Sequence, residues 1–100
     1  MNITERQPFG PGEILQEEFL APAGLTQGEL ADLMGVPRRR VNEIIRGRRA
    51  VTPDTAMRLA KVFRTSPEYW LNLQMRRDLW AVTHDPKLKR EYEKVRPHAA

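Results

Sequence analysis

Between residues 36 and 50 the sequence VPRRRVNEIIRGRRA carries six arginines, one asparagine and one glutamate. Wound as a helix, this stretch puts Val41, Ile44 and Ile45 on one side and Arg38, Arg39, Asn42, Glu43 and Arg46 on the other. The second set shares one chemistry. Arginine bonds guanine O6 and N7 bidentately, asparagine does the same with adenine N6 and N7, and glutamate accepts from cytosine N4. Arg40, Arg48 and Arg49 add cations suited to phosphate oxygens. Gln27, at the start of a preceding helix, joins them, because the N–H groups and dipole of a helix N-terminus attract phosphate.

The charge is segregated along the chain. Residues 1–35 have a net charge of −5, residues 36–50 of +5 and residues 51–100 of +4, giving +4 for the 100-residue chain. A cationic block beside an acidic one fits a surface that binds a polyanion and releases its counterions. A solvated charged face would have the same composition, so the decision rests on the pattern around the block.

Other chemistry finds little support. Without cysteine there is no disulfide framework, thiolate ligand or thiol nucleophile. His84 and His98 lack a second His at helical spacing and read as surface residues, so neither a metal nor a cofactor is expected. Glu17 and Glu18 are adjacent, which turns them about 100° apart on an α-helix, and they read as a solvated face. Ser66 reads as a helix cap, and no Gly-rich phosphate loop or nucleophile elbow occurs. The chain is not expected to be an enzyme. With no long apolar run and no apolar leader at the N-terminus, it is expected to be soluble, cytoplasmic and without membrane contact.

The elements that must hold the cationic stretch are helical throughout. Pro8, Gly10, Pro11 and Gly12 punctuate the start, so residues 1–10 read as a flexible arm. Ile14, Leu15, Phe19 and Leu20 form the stripe of a first helix over about 11–21, ended by Pro22 and Gly24. Thr26 and Glu29 match a capping box opening the second, which Gly35 stops. The third spans about Arg38 to Arg46, before Gly47. Thr52-Pro53 and Ser66-Pro67 are N-cap and N1 pairs for the fourth and fifth. In the fifth, apolar residues spread too widely for one stripe, so Leu79, Trp80 and Val82 are the candidates for a contact between two copies. Asp85-Pro86 opens a charged last helix, LKREYEKVR. Residues 11–82 thus form one domain, and 83–100 a charged C-terminal helix or tail.

Ala31, Gly35, Val41 and Ile44 have the spacing of a helix-turn-helix, with a small residue at the crossing, a turn glycine and apolar anchors on the second helix. In that motif the second helix enters the major groove, and paired copies present two such helices about 34 Å apart.

Residues 11–80, and most specifically PGEIL, TPDTAMRLAKVF and SPEYWLNLQ, resemble the HigA/VapI-type antitoxins of the lambda-repressor-like (XRE) helix-turn-helix family. The resemblance implies an all-α, five-helix bundle and a homodimer formed through C-terminal helices. It further implies repression of the protein's own operon by binding double-stranded operator DNA, and neutralisation of a HigB-type endoribonuclease toxin. Carried over by position, Gln27, Arg38, Arg39, Arg40 and Asn42 are the readers. Pro37 stands where a Ser or Thr N-cap is common, and three arginines stand where Gln and Thr often do, which implies more guanine contact. A solitary regulator without a toxin, or a module that mainly binds a toxin, would carry the same residues.

Overall fold

The structure, a computed structural model, describes residues 6–99. Within them the chain forms six helices and no strand. We label these α1 (residues 11–23), α2 (Gln27–Met34), α3 (Arg38–Ile45), α4 (Pro53–Phe63), α5 (Pro67–Thr83) and α6 (Pro86–Tyr92). A five-helix bundle followed by a short C-terminal helix is the architecture expected from the sequence.

Local chemistry explains most boundaries. Thr26 Oγ1 accepts from Glu29 N at 3.1 Å, while Thr26 N donates to Glu29 Oε1 at 3.0 Å, closing the capping box of α2. Thr26, through its backbone N–H first and its side chain second, holds the Glu29 carboxyl below the usual carboxylate range. Thr52, Ser66 and Asp85 accept in the same way at the starts of α4, α5 and α6. Gly35 ends α2 at φ 70°, a left-handed conformation that glycine adopts without steric cost.

Two ends differ from the sequence reading. α1 continues through Pro22 to Ala23, and its middle, Leu15–Leu20, is π-helical, with Ala21 N donating to Gln16 O. Pro22 has no N–H, and its ring would press on the carbonyl of residue 18; the wider turn just before it lets the helix pass the proline. α6 stops at Tyr92 rather than extending over LKREYEKVR, because it buries no residue that could hold a longer helix in place.

Leu15, Leu20, Leu30, Ala31, Met34, Val41, Ile44, Val51, Ala56, Leu59 and Trp70 form one core. Each large side chain of this set contributes about 1.5–3 kcal/mol through burial. Trp70 is fully buried, its Nε1 donating to Thr65 Oγ1 at 2.8 Å. Its ring lies 4.9 Å from that of Phe19, which also meets Phe63 at 4.8 Å, so aromatic contacts tie α1 and α4 to α5.

The first five residues of the expected arm lie outside the described residues. In its second half, Pro8 O accepts from Arg77 Nη1 at 3.2 Å, and the same nitrogen meets Glu13 Oε1 at 2.9 Å. One arginine of α5 therefore ties the approach to α1 to the body of the bundle.

Candidate nucleic-acid interface

α2 and α3 form the helix-turn-helix, and the anchors of α3 face inward. Val41 is 0% and Ile44 2% exposed, packed with Leu30, Ala31 and Met34 of α2, and Ile45 is half-buried against the same core. With that side fixed, the opposite side of α3 meets solvent.

Arg38 and Arg39 are exposed there, and Arg46 and Arg48 are exposed just beyond the end of the helix. Arg39 retains 87% of its side-chain exposure and makes one loose ion contact, 3.9 Å from Glu43. Asn42 Nδ2 donates to Gln27 Oε1 at 3.0 Å, joining the start of α2 to the middle of α3. Among the described residues Asn42 Oδ1 and Gln27 Nε2 have no partner, an acceptor and a donor complementary to a base edge.

Glu43 is engaged within the fold. Its Oε1 accepts from Arg49 Nε at 3.3 Å and Nη2 at 3.1 Å, so Glu43 and Arg49 form a pair that braces the turn after α3. Arg40 is held differently from its neighbours. Its guanidinium turns away from the cationic face and donates to Asp54 Oδ2 at 3.0 Å and Thr55 Oγ1 at 3.1 Å on α4. The side chain is 24% exposed and acts as a brace between helices, because a register of three successive arginines forces one of them toward the body.

Sequence reasoning missed Arg58. It donates to Asp54 Oδ2 at 3.1 Å and to Met34 O, at the C-terminal end of α2, at 2.8 Å. Hydrogen bonds from Arg58 first, and Arg40 second, hold the Asp54 carboxyl below its ordinary range. Asp54 therefore links the recognition segment to α4. Only the i, i+4 spacing of Asp54 and Arg58 was visible beforehand.

The N-terminus of α3 is polar in an unusual way. Pro37 occupies the N-cap without a side-chain hydrogen bond, and three arginines fill the first turn. Cations at the positive end of a helix dipole cost roughly 0.3–1 kcal/mol each. A polyanion at this end would offset that cost.

The candidates for pairing divide. Leu79 and Val82 line a shallow apolar depression of about 410 Å³ on α5, together with Leu71 and Met75. Trp80 instead stacks on His84, ring centroids 4.4 Å apart and planes 19° from parallel. Among the described residues there is no group of three His, Cys, Asp or Glu able to hold a metal ion, and no helix long and apolar enough to cross a membrane.

The helix-turn-helix family pattern matches residues 16–70. A transcriptional regulator of the helix-turn-helix type from Haemophilus influenzae is 44% identical over 95% of this chain and 89% of its own length. The antitoxin HigA-1 of Vibrio cholerae is 44% identical over 80% of this chain and 75% of its own length. Among solved structures, the Pseudomonas aeruginosa antitoxin HigA, determined with the higBA promoter, superposes with a TM-score of 0.82 at 34% identity, covering 90% of this chain and 97% of that one.

Proposed function

The chain belongs to the helix-turn-helix family that includes the HigA-type antitoxins, and on that footing we propose that it is a sequence-specific DNA-binding repressor and the antitoxin of a HigB-type toxin. One observation carries the DNA part. Val41 and Ile44 pin α3 to the bundle while Arg38, Arg39 and the Asn42–Gln27 pair face outward. In this reading α3 lies in the major groove. Arg38 and Arg39 meet guanines, the Asn42–Gln27 amides meet an adenine, and Arg46 and Arg48 hold phosphates. Arg40, Arg49 and Glu43 stiffen the reader rather than contact bases.

The functional unit is a homodimer in the cytoplasm. Its two copies meet across the apolar strip of α5, which sets two α3 helices on successive turns of operator DNA. Binding at its own promoter represses the operon, and a separate surface sequesters the toxin.

A second reading is favoured by one particular relative. The Haemophilus influenzae protein matches over nearly the whole chain and is named only as a regulator. A solitary regulator without a toxin is thus the alternative. Footprinting on the promoter of the chain's own gene, followed by co-expression with the product of the adjacent gene, tests both parts. A protected palindrome with rescue from toxicity supports the proposal. Protection without rescue leaves the solitary regulator, and no protection rejects the repressor.

A further inference from the structure

We propose that the apolar groove on α1 receives the cationic C-terminal segment, residues 86–96, of a second copy of this chain. The groove, about 520 Å³, has Phe9, Ile14 and Ile45 as its apolar lining and Glu13, Glu17 and Glu18 at its rim. Phe9 is 65% exposed, a large apolar ring left in solvent at the mouth.

Glu17 and Glu18 are exposed, as a solvated face would be, yet both border this one groove. Neither makes an ion pair with a described residue. An acidic rim repels nucleic acid and attracts a cationic chain.

Such a chain is present in the molecule itself. Lys87, Lys89, Arg90, Lys94 and Arg96 are all exposed, and beside them Tyr92 is 47% and Val95 71% exposed. The segment is therefore cationic and apolar, the complement of the groove, and α6 buries none of its residues. The molecule measures 51 × 26 × 22 Å with a radius of gyration of 16.2 Å, against about 13 Å for a compact domain of this length.

The pairing face and the groove are neighbours on the surface. The depression on α5 shares Gln74 and Asp78 with a hollow that also contains Gly12, Glu13 and Ile45, and Gly12, Glu13 and Ile45 in turn line the groove. The exchange is reciprocal, as two-fold pairing requires.

This inference rests on the homodimer stated above, and the two fail separately. Sedimentation equilibrium should be run on the wild type, Glu17→Lys/Glu18→Lys, Lys89→Glu/Arg90→Glu and the combination of all four changes, with circular dichroism confirming helix content. Each charge-reversed pair should raise the dimer dissociation constant by about tenfold or more, and the combination should recover most of the loss, since like charges brought together repel and swapped ones attract again. A monomeric wild type would reject both the dimer and this inference. A wild-type dimer whose dissociation constant ignores both reversals, or a combination no better than its parents, would reject the inference alone.

Discussion

The backbone of Gly12 in α1 lies so close to the carbonyl of Ile44 in α3 that a Cβ on it would overlap that oxygen, and it would also stand 2.8 Å from Ile45 O. This approach seats the start of α1 on the end of the recognition helix, opposing the positive end of one helix dipole to the negative end of another. Gly12→Ala should therefore cost about 1–3 kcal/mol through overpacking. Thermal denaturation followed by circular dichroism should show a midpoint lower by several degrees. An unchanged midpoint would mean that the contact yields easily and does not position α3.

Arg64 closes α4 at φ 56°, a left-handed conformation unfavourable to any residue with a Cβ. Replacing it with glycine removes that strain, which should outweigh the added freedom of the unfolded chain. Arg64→Gly should raise stability by about 0.5–1 kcal/mol in urea titration, and an unchanged or lower midpoint would mean that this turn carries no strain worth relieving.

Acid should loosen the link between α3 and α4 through Asp54. Because hydrogen bonds from Arg58 and Arg40 depress its pKa in the folded protein, the contribution of Asp54 is present above the unfolded pKa near 4 and disappears as pH falls through the lower folded value. Glu29 in the capping box follows the same sign. The melting temperature should thus fall as pH drops below about 4, and less steeply in Asp54→Asn. Identical slopes for wild type and variant would remove Asp54 from the explanation.

Pairing across α5 should depend on Leu79 more than on Trp80. Leu79 lines the apolar depression, whereas Trp80 is occupied by His84. In gel filtration Leu79→Glu should elute as a monomer at concentrations where the wild type is a dimer, because a carboxylate on this face would be desolvated without a partner. A dimer that survives the change would place the interface elsewhere.

What could be read in the sequence was what short-range chemistry decides. Thr26, Thr52 and Ser66 cap their helices within three residues of themselves, so no tertiary knowledge was needed to place α2, α4 and α5. Val41 and Ile44 fixed the orientation of α3 by their spacing alone. The missed features depend on distant partners. Arg40 looked like one more cation because Asp54 and Thr55 are 14 and 15 residues away. Arg77 holds Pro8 and Glu13 from more than 60 residues away, and no local pattern announces it. Gly12 looked like punctuation at the start of the first helix, although its role is to let two backbones touch. The π-turn was hidden because Pro22 reads as a stop unless the widened turn before it is known.

The central claim is that the outward side of α3 reads sequence in duplex DNA, and fluorescence anisotropy with a labelled operator and its single-base variants tests it most directly. Arg38→Ala should weaken operator binding by about 1–3 kcal/mol and abolish discrimination at one base pair, whereas Arg48→Ala should weaken all sequences alike and reduce the salt dependence by about one charge. Arg38→Ala binding every sequence as the wild type does, with discrimination intact, would contradict the assignment of this face.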